Sequence, residues 1–439
     1  MDCRHPNAHQ PLQVKVATPM LVPVALVALA LGYAGAPASA APAGPPVAAT
    51  GVNPPAAPGV KTDLGACWPA AAPALPKAGD VFTDPTFGTT IMRVTDRSDG
   101  ARNHVAYSYW PAFNKDCTWL TANCDGEPML FKFDPQAFKL LGKDRLFDSP
   151  PQAGGGMPGW EDSIWSGTSP DALYCHEGLR LWRRDVARKE YTLVKDFSQQ
   201  LPPGHLRQMS KSLDDNVFGF TLQDPAWKVT GLMAWRADTD EIVLRDDREG
   251  LDEIQVDKTG RYCLIKTDKQ GKDQVQAIAA DLETGKRTDL IDDAPDFAPG
   301  HSDNGRGLVV GADNWRNAIT VRALGKPHEH TLVLDLKNDW SLGCHISLLA
   351  DDDSWALVSF FSAAAKAGGP FTDELVLVAT DGSQQVRRLA HHFSVFKEYW
   401  DSPRACISRD GRFVIFNSNF GDATRRDVFV LKVPDEATR

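Results

Sequence analysis

Long amphipathic helices are missing from this sequence, and with them helical bundles and helical solenoids as fold classes. Basic runs are missing too: 47 Lys and Arg against 57 Asp and Glu give a formal charge of −10 and an isoelectric point near 5.6. A nucleic-acid binder would carry a basic footprint, and polybasic membrane attachment would need Lys and Arg beside an apolar run. Cysteine is sparse, eight in 439 residues, and no two form C-x-x-C, so a zinc knuckle or a dithiol redox motif is not supported. No G-x-S-x-G elbow is present. Gly154-Gly155-Gly156 lacks the Lys and the flanking helix of a phosphate loop and reads as a flexible connection.

Apolar runs of membrane length are absent with one short exception. Residues 20–31 (MLVPVALVALAL) fall short of the ~20 residues a span needs. They follow Arg4 and Lys15 and lead to Gly35-Ala-Pro-Ala-Ser-Ala40, an A-x-A site. Charged start, short apolar core and small-residue exit make a secretory signal, predicting cleavage near Ala40 and a periplasmic or secreted mature chain without a membrane span. Residues 41–78 are dominated by Ala, Pro and Gly, which predicts an extended, mobile spacer. Loss of Cys3 leaves an odd number of cysteines, so at least one thiol stays free. Cys117 and Cys124 on one strand would lie ~23 Å apart and cannot bridge. A Cys124–Cys175 bridge between neighbouring repeats stays open.

What the sequence does contain, from residue 81 onward, is a repeat. A short apolar strand leads to an Asp- or Gly-rich turn, then to a second alternating strand and a third. The turns include Asn114-Lys-Asp116, Ser169-Pro-Asp171, Asp257-Lys-Thr-Gly260, Asp303-Asn-Gly305, Asp351-Asp-Asp353 and Ser408-Arg-Asp-Gly411. Four-strand repeats of ~40 to 50 residues are blades of a β-propeller, and blades must stack into a closed ring to cover their faces. The count is seven, and the seventh shows only three strands. The lone strand at residues 89–95 (TTIMRVT) is predicted to complete it and to remove two exposed edges. The expected fold is therefore all-β, a seven-bladed propeller over residues 79–434 closed by an N-terminal strand, with a tail at 435–439.

Ser408-Arg-Asp-Gly-Arg-Phe-Val-Ile-Phe-Asn-Ser418 resembles the S-P-D-G-x-x-[IV]-x-[FY]-x-S repeat of TolB-like bacterial propellers. Residues 254–265 (IQVDKTGRYCLI) are a weaker copy. The resemblance implies the fold and leaves function open, because propellers host many chemistries and many plain binding proteins.

A propeller works at the mouth of its central channel, and polar residues precede the turns at four places there. These are Asn103-His104 with Tyr107, Tyr109 and Trp110; His301-Ser-Asp303; Cys344-His345; and Tyr399-Trp400-Asp401 with Arg404. His301, His345 and Asp303 are a plausible ligand set for a divalent ion. Their spacing is not a compact metal motif, and hydrogen bonds to loop carbonyls account for the histidines equally well. Trp110, followed by Pro111 and Phe113, is expected to pack between blades. His391-His392 is expected in a surface turn, since consecutive strand residues face opposite ways. His328 and His330 are expected in a solvated hairpin.

The His residues of the fifth and sixth blades, with the segment before Ser408, are similar to oligogalacturonate lyases, propellers that cleave uronic-acid oligomers by β-elimination around Mn²⁺. That resemblance implies His ligands shortly before the seventh turn, where this chain reads Ser402-Pro-Arg404-Ala-Cys406. Arg404 is suited instead to pair with a substrate carboxylate. Elimination needs the uronate carboxylate neutralised, a base near the carbon and an acid for the leaving oxygen. Arg404, Arg207 or a metal on His301 and His345 are the candidate neutralisers. His104 or His205 is the candidate base, and Tyr107 or Tyr399 the candidate acid. The expected partner is an acidic glycan, met by a monomer. The alternative is a non-catalytic TolB-like propeller that binds a periplasmic protein or ligand.

Overall fold

The computed structural model describes residues 59–159, 163–267, 277–290, 299–313, 316–337, 339, 341–362, 368–422 and 424–437. The expected signal peptide lies outside the described residues. No helix among them is long and apolar enough to cross a membrane.

The described strands form seven antiparallel sheets in chain order, as the repeat predicted. Innermost strands of blades one to six are Asn103–His104, Ser163–Trp165, His205–Lys211, Leu251–Val256, Pro299–Asn304 and Leu342–Ser347. Blade seven starts with Cys406–Ile407, continues through Phe413–Ser418 and Asp427–Lys432, and is completed by the N-terminal strand Thr90–Arg93. A further strand, Val81–Thr83, extends this blade to five.

Alternation along each strand explains why the ring holds. In blade seven Val414 and Phe416 face blade six, whereas Phe413 and Ile415 face blade one. Every strand feeds two interfaces in this way, because a blade is covered on both faces. The buried hydrophobic residues accordingly divide into seven clusters, one for each pair of neighbouring blades. Trp110 is buried with blades two and three and donates its indole N–H to the Met209 carbonyl at 3.1 Å, the packing role expected of it.

Three expectations change. The described part of the spacer, residues 59–78, is pinned along blade six: Lys61 bridges Arg388, and the Asp63 carboxylate and Ala66 carbonyl both accept from the Arg388 guanidinium at 2.9 Å. His391 and His392 are wholly buried and not in a surface turn. The His391 ring meets the Asp84 carboxylate at 3.3 Å and the Trp68 carbonyl at 2.9 Å, while His392 Nε2 donates to the Phe360 carbonyl. The expected alternation is present, but the N-terminal segment covers the edge it was thought to expose. Cys124 and Cys175 carry free thiols, buried in the interfaces of blade one with blade seven and with blade two respectively. His328 and His330 are exposed, as a solvated hairpin requires.

Candidate functional site

The innermost strands run in parallel down the channel, so the residues at their starts converge at one mouth. Tyr107 is the hub. Its hydroxyl meets that of Tyr399 at 2.7 Å, and its ring lies 5.2 Å from His345 and 6.1 Å from His301. The two imidazoles stack at 4.1 Å. Arg404 lays its guanidinium 4.0 Å over the Trp400 ring, and His104 packs 4.8 Å from the same ring. Six of the nine predicted residues therefore meet: His104, Tyr107, His301, His345, Tyr399 and Arg404.

The other three lie elsewhere. Asp303, the alternate residue to His301 on its strand, sits deeper in the channel and accepts the backbone N–H of Leu348 at 2.6 Å and of Asn304 at 2.8 Å. His205 stacks flat on Trp227 at 4.0 Å, at the rim of blade three. Arg207 is half-buried on the innermost strand of that blade, opposite Thr221.

The structure adds residues that the sequence reading passed over. Tyr109, named there without a role, donates to Glu253 at 2.8 Å, and Lys266 pairs with the same carboxylate at 2.6 Å. Glu253 occupies the blade-four position equivalent to His301 and His345. The one available signal was Asp252-Glu253 just before the repeat at Ile254, which a search for His and Arg does not catch.

Below the mouth lies a cavity of about 80 Å³, bordered by Tyr109, Gln208, Glu253, Gln255, Asp303 and Lys258. Its far end is tied across by cations. Lys258 of blade four reaches the Ala350 carbonyl and Asp353 of blade six, and Arg409 of blade seven reaches the Gly167 carbonyl of blade two.

Charge decides what such a site accepts. Burial and the Arg404 charge push His104 down to about 3. Burial pushes His301 to about 4, against the hydrogen bond that its Nδ1 donates to the Cys344 carbonyl at 2.6 Å. Burial, His301 and Arg404 hold His345 well below the ordinary imidazole value. All three rings are neutral at physiological pH. Both ring nitrogens of His345 lack a hydrogen-bond partner, and so do Nε and Nη1 of Arg404. Arg404 is fully buried, its Nη2 donates to the Trp400 carbonyl at 3.1 Å, and burial lowers its pKa to about 10. Native proteins do not bury a cation without a counter-charge for stability, since desolvation costs several kcal/mol. Arg404 and Gln208 also hold left-handed backbone, at φ 43° and 46°, a strain that concentrates at functional sites. Two donors of a buried guanidinium are thus left without a partner at this mouth.

The neutral imidazoles have a measurable consequence. Below about pH 6.5 the unfolded chain takes up protons that folded His104, His301, His345 and His392 refuse. Their contribution is complete above pH 6.5 and is lost as the pH falls toward 4. His391, raised by its bond to Asp84 against the cost of burial, and Asp303 and Glu374, both raised by burial, act in the opposite sense but are fewer. The denaturant midpoint should drop steadily between pH 6.5 and 4, at about 1.4 kcal/mol per group and unit in the full limit. A flat profile over that range would contradict the assignment.

No protein-family model matches the chain, and no curated protein matches it in sequence. Solved structures do. An oligogalacturonate lyase in complex with manganese superposes with a TM-score of 0.58 at 15% identity, covering 84% of this chain and 100% of its own. The oligogalacturonate lyase of Vibrio parahaemolyticus gives 0.59 at 13%, with the same coverage. The shared feature is the fold.

The manganese of that lyase raises the question of whether this mouth suits a metal. The donor set does not close around one. Among the described residues no three His, Cys, Asp or Glu side chains are grouped to hold an ion. His301 has committed Nδ1, both Asp303 oxygens accept backbone N–H groups, and the segment expected to bring further ligands brings Arg404. The set His301, His345 and Asp303 is corrected accordingly: the two imidazoles share the mouth, while Asp303 belongs to the channel floor. A dication beside these rings would face a fixed guanidinium whose charge they already feel.

Proposed function

We propose that the chain is an exported enzyme of polysaccharide lyase type that takes a uronate residue of an acidic glycan at the channel mouth, with Arg404 in the place a metal ion would fill. The observation that carries the reading is the buried guanidinium with two unspent donors. Nε–H and Nη1–H lie on the two different edges of the fork, and each can give a carboxylate oxygen one charge-assisted hydrogen bond. Neutralised in this way, the carboxylate lets the adjacent carbon release its proton to a free imidazole nitrogen of His345 or His301. The electron pair becomes the new carbon–carbon double bond as the glycosidic C–O bond breaks. The Tyr107–Tyr399 hydroxyl pair protonates the departing oxygen, and the imidazolium returns the proton to the tyrosinate. Atoms and charge balance without a further reactant. Burial raises both tyrosines, so each keeps its proton until the leaving oxygen asks for it.

His104 fits the base role less well, because its Nδ1 is bound to the Val105 carbonyl at 2.9 Å and its ring rests on Trp400. The alternative, a propeller that holds an acidic ligand without turnover, draws on one observation: a base near 4 is weak for proton abstraction.

Ultraviolet absorbance of an unsaturated uronate, across a panel of uronate polysaccharides, tests the reading. Activity that is the same with chelator and with added Mn²⁺ is expected. Activity abolished by chelator would return the neutralising role to a metal, and silence from folded protein would leave the binding propeller.

A further inference from the structure

A second place on the same face of the propeller is built in a way that the mouth does not explain. Trp227 lies in the turn between Val217–Gln223 and Val229–Arg236 of blade three, and its side chain is 51% exposed. It holds φ 68°, a conformation that costs a bulky L-residue of order 1–3 kcal/mol. The turn is fastened to keep it there. The Asp224 carboxylate accepts the N–H groups of Ala226 and Lys228 at 2.8 and 3.0 Å, and the Trp227 N–H donates to the Asp224 carbonyl at 2.9 Å. One face of the indole is covered by His205, parallel within 5°, and the exposed part of the ring is left to solvent.

Beside this stack lies a cavity of about 320 Å³, walled by His205, Gln223, Arg245, Asp247 and the Leu201-Pro202-Pro203 segment. Two glycines let its walls close. A Cβ on Gly204 would meet the Gln223 carbonyl at 2.1 Å, and one on Gly231 would meet the Asp247 carboxylate at 2.5 Å. Two buried polar atoms along the cavity have no partner, Gln223 Oε1 and Arg245 Nη1. A flat, half-exposed ring next to one free acceptor and one free donor matches the two sides of a pyranose. The C–H face of the sugar lies on the indole, and its hydroxyls or carboxylate reach the polar pair.

We infer that Trp227, His205, Gln223 and Arg245 form a second subsite for a sugar residue of the same glycan, away from the reacting bond. His205 starts the innermost strand that carries Arg207 and Gln208 inward, so the subsite and the mouth share one face. The identity of the ligand rests on the function proposed above, whereas the platform itself does not. Here His205 supports the indole and is not a base.

Affinity electrophoresis of the mature protein in gels containing polygalacturonate or alginate separates the two ideas, with thermal unfolding as the control for folding. Trp227→Ala should weaken retardation about tenfold, the scale of one aromatic contact, and Trp227→Tyr should restore most of it. Cleavage of a disaccharide too short to span both places should be unchanged in either variant. Retardation of Trp227→Ala equal to wild type, with Arg404→Gln abolishing it, would overturn the subsite and leave the mouth intact. Retardation lost in Trp227→Ala while no eliminase activity exists would keep the subsite and sink the lyase. No retardation of the wild type by either polymer would overturn the subsite.

Discussion

Arg404→Met should cost turnover about a thousandfold and yet leave the protein more resistant to denaturant. The first effect follows from removing a preorganised cation from a dry site, where one charged donor is worth about 3–4 kcal/mol of barrier. The second follows from desolvation. Arg404 is buried with no carboxylate in contact, so the folded state carries a penalty that an apolar side chain of similar length does not. The stack on Trp400 returns only about 2 kcal/mol of that. Arg404→Met isolates the charge because Met keeps the packing. Kinetics and urea melts on the same preparation check both halves. A variant that loses stability along with activity would show that Arg404 is a structural residue with a partner.

Arg388 should behave in the opposite way. Its guanidinium grips Glu374 through two bonds of 2.7 and 2.6 Å, both side chains almost fully buried, and also binds Asp63 and Ala66 of the N-terminal segment. Arg388→Ala strands a carboxylate that burial already pushes upward, at a cost of about 3–5 kcal/mol. It also unfastens residues 59–78 from blade six. Urea melts should show the loss, and limited proteolysis should show cleavage within 59–78 that the wild type resists. Unchanged proteolysis would mean that the segment is held by other contacts, with His391 and Asp84 the nearest.

These two arginines mark what was legible in the sequence. The blades were legible because every strand must alternate between two neighbours: Phe413-Val-Ile-Phe416 divides between two interfaces as period-two patterning demands. Closure by residues 89–95 was legible because the seventh repeat lacked a strand. The mouth was legible in part, since His301, His345 and Arg404 occupy equivalent places before their turns. What failed was distance from that place. Lys266 reaches Glu253 from the second strand of blade four, so no search of the channel-side segments finds it. In blade three the position of the mouth histidines belongs to Gln208, whereas His205 lies three residues earlier, opposite Gln223, and stacks on Trp227. His391 looked exposed because alternation turns one of two consecutive residues outward, and the spacer that covers it was read from composition as mobile. Composition reports that a segment lacks a core of its own, not that it finds no surface to lie on.

The central claim is that the mouth is an anion site with its cation built in. Calorimetric titration of galacturonate and of galactose, in chelator, into wild type and Arg404→Met tests it without reference to turnover. Binding of galacturonate alone, lost in Arg404→Met and indifferent to metal, is the result the structure predicts. Equal binding of the two sugars, or galacturonate binding that appears only when Mn²⁺ replaces the chelator, would contradict it.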